Sequence, residues 1–200
     1  KINLKAINWD SVVNDLKTIQ SASDRIANIV KALSTFSRSS KGEDPESVTL
    51  INLINDTLLL CKERFTHSKI EIQIDCEASL MLKCRSSQIS QVIMNLLSNS
   101  FDAISDLQKK WVKISAQRID DSIQIKISDS GTGIPHSIAK KIMDPFYTTK
   151  DTGKGAGLGL SISLGIIQSH GGTLKYDENA HNTTFIINLP QEALVNSKVA

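Results

Sequence analysis

Aromatic side chains and net charge are both scarce in this 200-residue chain. Aromatic residues make up 4% of the sequence, too few for the stacked platforms with which proteins bind single-stranded nucleic acids. The formal net charge is only +2, so it gives no sign of an electrostatic surface for nucleic acid or membrane. We therefore expect no nucleic-acid partner.

Long apolar runs and paired cysteines are also missing. No apolar run reaches the roughly 18 residues that a transmembrane helix needs, and the chain does not open on a signal-peptide pattern. Cys61, Cys76 and Cys84 form no CxxC pair, which suits reduced thiols in a cytosolic compartment better than a disulfide or zinc framework. These features predict a soluble, cytoplasmic chain, and its 40% hydrophobic content is enough for a sizeable core.

The first forty residues carry a helical repeat. Apolar and small residues recur there at intervals that alternate between 4 and 3, the spacing of helices packed in a coiled coil or bundle. The repeat consists of Val12, Leu16, Ile19, Ser23, Ile26, Val30, Leu33 and Ser37, widened by Ile29 and Phe36. So broad an apolar face is not stable on a lone helix. Residues 1–40 are therefore predicted to belong to a helical bundle, with partner helices from another chain or from further sequence.

A polar stretch containing Gly42 and Pro45 predicts a linker over residues 41–47, and a second unit is predicted over residues 48–192, with a tail over residues 193–200. In this unit helical periodicity alternates with strand patterns, and two strands flank Asp120 and Asp121 as a hairpin. The predicted helices are "LINLINDTLLLCKERF", "SQISQVIMNLLSNSFDAISDL" and about Leu158 to Ser169; the predicted strands are "KIEIQID", "SLMLKC", "WVKISAQRI", "SIQIKIS", "GGTLKYD" and "TTFIINLP". Helices gathered with an antiparallel-rich sheet predict an α+β fold, a two-layer sandwich.

A line of polar side chains runs along the longest predicted helix. Gln91, Asn95, Asn99 and Asp102 are spaced 4, 4 and 3 residues apart, which places them on one helix face. Asparagine lowers helix propensity, and amide oxygens are good ligands for hard cations such as Mg²⁺. The line is either a solvated polar face or part of a metal and phosphate site.

Two further motifs contain glycine. In "SDSGTGIP", Asp129 ends an isoleucine-rich strand, and its carboxylate can accept a hydrogen bond from the amino group of adenine while Gly131 and Gly133 let a flat ring approach; an ordinary Asp and Gly turn is the alternative. In "DPFYTTKDTGKGAGLGLSIS", glycine recurs at every second position from Gly153 to Gly159. Bare N–H groups that lead into a helix N-terminus favour anions, although a flexible loop is the alternative and the stretch is not a P-loop.

Taken in order, four motifs resemble a known family. "QVIMNLLSNSFDA", "DSGTGIP", "DPFYTTK" and "GKGAGLGLSI" resemble the N, G1, F and G2 boxes of the sensor histidine kinase catalytic domain, which belongs to the ATP-binding superfamily of gyrase, Hsp90 and MutL. The resemblance covers about Val48 to Pro190. The segment "SDRIANIVKALSTFSR" resembles the second helix of that family's dimerisation hairpin, and the F and G2 forms are most similar to the nitrogen-regulator branch.

This resemblance implies a Bergerat-type ATP-binding fold preceded by a long helix of a dimeric bundle. It implies transfer of the γ-phosphate of Mg-ATP to a histidine, for relay to an aspartate of a response regulator receiver domain. It also implies a homodimer and a cytoplasmic catalytic part, within a full-length protein that can be membrane-associated.

The resemblance also assigns roles to residues. Asn99 would bind magnesium, Asn95 would belong to the metal and phosphate neighbourhood, and Lys150 would contact phosphate; these three are the catalytic candidates. Asp129 would bind the adenine amino group, with Thr184 helping through water. The remaining nucleotide-binding candidates are Asp102, Gly131, Gly133, Ile134, Tyr147, Thr148, Thr149, Gly153, Lys154, Gly155, Gly157, Leu158, Gly159 and Leu160, among which the glycines from 153 onward would form a mobile lid.

The chain departs from the family pattern at two places on the long helix. Many histidine kinases have a basic residue three after the metal asparagine, where this chain has Asp102, so a positive charge must come from elsewhere, from Lys150 or Lys154. Hydrolytic members of the superfamily use a glutamate four residues before the metal asparagine, where this chain has Asn95. An amide cannot act as that base, so transfer to a protein nucleophile is favoured over hydrolysis.

The acceptor histidine is missing from the pattern. His67, His136, His170 and His181 each read as part of local structure, and none has a neighbouring carboxylate as the family's acceptor does. The chain is therefore expected to start after that histidine, or else to act on a separate polypeptide.

Two other functions stay open: an ATPase clamp, which would need the missing glutamate, and a nucleotide-gated interaction module that binds ATP without transferring phosphate.

Overall fold

The structure is a computed structural model that describes residues 8–20, 22–23, 44–150 and 155–191. Parts of the sequence predictions therefore lie outside the described residues. These are the repeat positions Ile26, Ile29, Val30, Leu33, Phe36 and Ser37, Gly42 of the linker, Gly153 and Lys154, and the predicted tail.

Helix α1 occupies residues 9–20, and residues 22–23 are also helical, in agreement with the predicted repeat. Most of its apolar side chains are exposed, among them Leu16 at 59% and Ile19 at 64%. The bundle prediction requires such exposure, because partner helices would cover these side chains; the bundle itself stays a prediction. No helix in the described part of the chain is long and apolar enough to cross a membrane.

The second unit contains seven strands and five helices among the described residues. In chain order they are β1 (Glu46–Thr49), α2 (Leu50–Leu59), α3 (Lys62–His67), β2 (Glu71–Cys76), β3 (Met81–Cys84), α4 (Ser86–Ile104), β4 (Trp111–Ile119), β5 (Ser122–Asp129), α5 (His136–Ala139), α6 (Gly159–Ser169), β6 (Thr173–Tyr176) and β7 (Thr184–Pro190). Strand β1 begins two residues before the predicted start of the unit at Val48 and pairs with β3 as a separate two-stranded sheet. The short helix α5 had no sequence prediction.

The main sheet has five strands in the order β2-β4-β5-β7-β6. Only β2 and β4 are parallel among these neighbours, and the other three pairs are antiparallel. The predicted hairpin is present as β4 and β5, with Asp120 at a φ of 53° in the turn. Aspartate tolerates this left-handed conformation better than most residues.

One face of the sheet is buried beneath helices. Alternate residues of β4 and β5, such as Val112, Ile114 and Ile125, are fully buried, as the period of two in a strand requires. Helices α4 and α6 pack against each other and against this sheet. The predicted two-layer α+β architecture is confirmed, and it brings the polar line of α4, the end of β5 and the start of α6 together.

Candidate functional site

A cleft of about 640 Å³ lies between α4, the loop after β5 and the start of α6, within the roughly 300–1,000 Å³ typical of small-molecule sites. Most of the sequence-predicted residues line it. They are Asn95, Asn99, Asp102, Asp129, Gly133, Ile134, Tyr147, Thr148, Thr149, Lys150, Gly155, Gly157, Leu158, Gly159 and Leu160. Gln91 also lines the cleft, so the whole polar line of α4 faces it.

Asp129 is the most deeply buried polar residue described in the lining of the cleft, with only 1% of its surface exposed. Its Oδ1 accepts a hydrogen bond from the backbone N–H of Gly131 at 2.9 Å, and the side chains of Ser100 and Thr183 also hydrogen-bond to it. Burial raises the pKa of Asp129, and these three hydrogen bonds offset only part of the rise. Asp129 is thus a fixed hydrogen-bond acceptor in a largely apolar wall.

Gly131 does not line the cleft but makes this arrangement possible. A Cβ at Gly131 would lie 2.8 Å from both Asp129 Oδ1 and Thr183 Oγ1, closer than side-chain carbons approach oxygen. A side chain here would displace the carboxylate, so this position requires glycine.

Thr183 and Thr184 have different surroundings beside the cleft. Thr183 lines the cleft and hydrogen-bonds to Asp129, whereas the Thr184 hydroxyl lies 2.9 Å from Ser128 Oγ and donates to the carbonyl of Asn182. Adjacent residues of an extended chain point to opposite faces, so only one of the two can reach the cleft. Phe185, two residues after Thr183, lines the cleft as well.

Gly133 shapes the rim of the same pocket through its backbone. Its φ of +89° is one that other residues rarely adopt. The following N–H, of Ile134, donates to the hydroxyl of Tyr176 at 2.7 Å, which ties the loop to β6. Apolar side chains of Ile134, Ile138 and Ile142 complete this wall. Ile138 lies on α5 and Ile142 follows it, and the sequence pattern indicates neither.

Asn95 joins α4 to the beginning of α6. Its amide nitrogen donates to the carbonyl of Gly159 and lies the same distance, 3.2 Å, from Ser163 Oγ. Both amide protons therefore face α6, and the amide oxygen is the only group Asn95 has left for a ligand.

Asn99 and Asp102 of α4 lie close to cationic side chains. Lys150 Nζ lies 2.6 Å from Asp102 Oδ2 and 3.4 Å from Asn99 Oδ1, so the predicted phosphate lysine does reach the predicted metal asparagine. Arg64 of α3 binds the second oxygen of Asp102, with 2.7 Å between Nη2 and Oδ1. The sequence pattern predicts a compensating cation from Lys150 or Lys154 and does not indicate Arg64.

Metal binding at this site would depend on few protein ligands. No group of three or more His, Cys, Asp or Glu side chains able to hold a metal ion occurs among the described residues. The oxygen of Asn99 is a hard donor on the cleft wall, which fits Mg²⁺, since that ion usually keeps several waters and shares its other positions with phosphates.

The histidines lie in local structure, as predicted, but two of them do have a carboxylate nearby in space. His67 Nε2 lies 3.6 Å from Glu63 Oε1 within α3, and His136 Nδ1 lies 2.9 Å from Glu178 Oε2. His170 is fully buried and bonds to backbone groups. The family's acceptor is followed in sequence by an acidic residue, and none of the four histidines is, so these two contacts in space do not contradict the prediction.

Comparison with known proteins places this cleft in a family. The protein-family model described as "Histidine kinase-, DNA gyrase B-, and HSP90-like ATPase" matches residues 84–193. These residues contain Asn99, Asp129 and the glycine-rich segment. The chain belongs to this ATPase family. The family resemblance read from the four motifs is confirmed.

The relatives in sequence are sensor kinases. Sensor kinase CckA of Brucella abortus is 34% identical over 192 residues, which cover 88% of this chain and 20% of CckA. Sensor protein FixL of Bradyrhizobium diazoefficiens is 34% identical over 184 residues, which cover 86% of this chain and 35% of FixL. The chain thus spans between a fifth and about a third of the length of these relatives, and within the family it is a histidine kinase-like ATP-binding domain.

Solved structures agree with this placement. The catalytic domain of histidine kinase ThkA aligns with a TM-score of 0.68 at 28% identity, over 75% of this chain and 97% of that domain. Histidine kinase ThkA in complex with response regulator protein TrrA aligns at 22% identity with a TM-score of 0.68, over 96% of this chain and 53% of that one. At that identity the second likeness supports the fold alone.

Proposed function

We propose that this chain binds Mg-ATP in the cleft and transfers the γ-phosphoryl group to a histidine on a helix of another segment or chain, for relay to a response regulator aspartate. The observation that carries the proposal is the pairing, in one cleft, of a buried carboxylate acceptor with a lysine. Asp129 suits the amino group of adenine, and Lys150 suits phosphate oxygens.

Transfer is favoured over hydrolysis by the side chain at position 95. The amide nitrogen of Asn95 is engaged with Gly159 and Ser163, and an amide cannot remove a proton from water. In the transfer, the bond from the γ-phosphorus to the bridging oxygen of ADP breaks, and the unprotonated nitrogen of the imidazole forms a bond to the phosphorus. The proton on the other ring nitrogen is released to solvent. Positioning and charge neutralisation carry most of such a reaction.

Magnesium would be held by Asn99, and it would neutralise charge on the phosphates. The glycines from Gly155 to Gly159 leave backbone N–H groups beside the start of α6, where anions are favoured. Lys150 has to leave Asp102 to reach a phosphate. The role of this chain's residues is therefore to hold the nucleotide, and the acceptor comes from elsewhere.

The partners belong to the proposal too. The exposed apolar face of α1 suits a homodimeric helical bundle, and the resemblance to sensor histidine kinases implies a response regulator as the downstream partner. We propose a cytoplasmic location for the domain, since that is where response regulators and ATP are found together.

Binding is tested by calorimetry with ATP in the presence and absence of Mg²⁺. We expect wild-type protein to bind ATP more tightly with Mg²⁺, and Asn99→Ala to lose that gain. Asn55→Ala, on the exposed side of α2, is the matched control and should bind like wild type. Equal affinity of Asn99→Ala and wild type for Mg-ATP would contradict the role of Asn99.

Transfer is tested with γ-labelled ATP. We expect this chain alone to incorporate no acid-labile, base-stable phosphate, and to label a longer companion polypeptide that carries the acceptor helix and Asn99→Ala. Brisk steady-state release of phosphate would favour an ATPase clamp instead, and binding without labelling of the companion would favour a nucleotide-gated interaction module. Stoichiometric phosphohistidine at His67, His136, His170 or His181 would contradict an acceptor elsewhere.

A further inference from the structure

Arg64 lies on α3, outside the four motifs, yet its side chain reaches the end of the polar line on α4. Its Nη2 is 2.7 Å from Asp102 Oδ1, and its Nη1 is 3.4 Å from Ser98 Oγ. The guanidinium carbon also lies 3.7 Å from the centroid of the Phe101 ring. A carboxylate, a hydroxyl and an aromatic face thus hold this arginine in one orientation.

Asp102 is shared between this arginine and Lys150. Oδ1 faces Arg64 and Oδ2 faces Lys150, at 2.7 and 2.6 Å. The side chains of Asp102 and Lys150 are 30% and 32% exposed, whereas that of Arg64 is 49% exposed. The group carries a net charge of +1, because two cations flank one anion.

We propose that Arg64 is a positioning residue for the triphosphate: by neutralising Asp102 from outside the cleft, it leaves the charge of Lys150 available to phosphate. This inference rests on the proposed function. When Lys150 turns towards a phosphate oxygen, the carboxylate it leaves keeps one cationic partner. Without Arg64, Lys150 and Asp102 would form a neutral pair. Once Lys150 turned towards the phosphate, the carboxylate of Asp102 would be left unpaired beside the bound anion.

A purely structural role for Arg64 predicts something different. A half-exposed ion pair contributes little to folding stability. If loss of the Arg64 side chain acted by loosening the fold, it would weaken the binding of all ligands alike. An electrostatic role affects only ligands that carry phosphates, depends on Asp102, and weakens as salt screens the charges.

The experiment measures affinity for Mg-ATP and for adenosine, by calorimetry or competition, at low and high salt. The variants are Arg64→Gln, Asp102→Asn, the double variant, and Arg118→Gln as a matched control, since Arg118 is an exposed arginine at the end of β4 that bonds only to the carbonyl of Asp120 among the contacts described. We expect Arg64→Gln to weaken Mg-ATP binding roughly ten-fold at low salt and to leave adenosine binding unchanged.

Adding Asp102→Asn to Arg64→Gln should restore Mg-ATP affinity, because it removes the carboxylate that Arg64 neutralises, and the loss in Arg64→Gln should shrink at high salt. Unchanged Mg-ATP affinity in Arg64→Gln, an equal loss for adenosine, or no rescue by Asp102→Asn would each overturn the inference. If wild-type protein fails to bind Mg-ATP while Arg118→Gln and wild type remain folded, the proposed function fails and the inference falls with it.

Discussion

The backbone N–H of Phe146 donates a hydrogen bond to the carbonyl of Gly157 at 2.9 Å. Both residues have a φ of 67°, in the left-handed region. The bond fastens the turn of "DPFYTTK" to the glycine-rich segment at the wall of the cleft. A Cβ at Gly157 would lie 2.5 Å from the carbonyl carbon of Phe146, so backbone packing excludes any side chain here.

Gly157→Ala should therefore destabilise the protein and weaken Mg-ATP binding. The left-handed φ and the clash with backbone atoms together cost about 1–3 kcal/mol, and relieving them moves the cleft wall. Gly165→Ala is the control, since a Cβ there meets no atom within 4 Å and Gly165 lies inside α6; it should stabilise by up to about 1 kcal/mol. Urea denaturation measures both, and a similar effect of the two substitutions would contradict this account.

The buried Asp129 predicts a pH dependence of stability. Burial raises its pKa above the ordinary value of 3.8, so the folded protein binds this proton more tightly than the unfolded chain does. The contribution of Asp129 to the free energy of unfolding therefore falls as pH rises from 3.8 through the raised folded pKa, and it stays lower above that value.

Asp129→Asn should remove this contribution. Relative to wild type, its free energy of unfolding should increase as pH rises through the window, because the wild-type protein alone must bury a charge there. Urea denaturation over a pH series measures the difference, with Asp106→Asn, at an exposed position after α4, as the control. A difference between Asp129→Asn and wild type that does not change with pH would show that the buried carboxylate does not govern stability.

The sequence predicted those features that depend on local spacing. The intervals of 4, 4 and 3 from Gln91 to Asp102 placed four polar residues on one helix face, and all four line the cleft. The alternation of apolar and polar residues predicted β4 and β5, since a strand directs every second side chain towards the core. Arg64 could not be found this way, because it meets Asp102 across 38 positions of sequence and only the packing of α3 on α4 joins them.

The difference between Thr183 and Thr184 depends on strand register instead. The family resemblance supplied a threonine near the last strand, but it did not fix the register. The strand's own alternation could have done so, because Phe185 and Ile187 are buried and Thr183 falls on their side. Side-chain direction along the extended segment thus predicts Thr183 at the adenine end of the cleft, whereas the family resemblance predicts Thr184.

Asn95→Asp should destabilise the fold without creating a hydrolytic enzyme. The amide of Asn95 donates to the carbonyl of Gly159, whereas a carboxylate cannot donate and would face that carbonyl. The free energy of unfolding should fall by about 1 kcal/mol, the typical net contribution of one hydrogen bond, and repulsion between the carboxylate and the Gly159 carbonyl adds to the loss.

Urea denaturation and a phosphate-release assay test this together. Asn55→Asp on exposed α2 is the matched control and should leave stability nearly unchanged. A variant Asn95→Asp as stable as wild type would mean that the contact between α4 and α6 does not depend on this amide. A marked rise in ATP hydrolysis would contradict the expectation that a carboxylate at position 95 faces Gly159 rather than water.

Thr183→Val and Thr184→Val form the sharpest pair for the adenine end of the cleft. Valine keeps the shape of threonine but removes the hydroxyl, and the two threonines are almost equally buried, at 7% and 6% exposure. Thr183→Val takes a hydrogen bond from Asp129, which leaves the carboxylate less well held, so ATP affinity should fall several-fold, corresponding to about 1 kcal/mol. Thr184→Val loses contacts to Ser128 and Asn182 on the other side of the strand, so it should lower stability and leave ATP affinity unchanged.

Calorimetry with ATP and GTP, alongside urea denaturation, separates the two effects. If Thr184→Val weakens ATP binding and Thr183→Val does not, the water-mediated role that the family resemblance gave to Thr184 is correct and the direct hydrogen bond from Thr183 is not part of the adenine site.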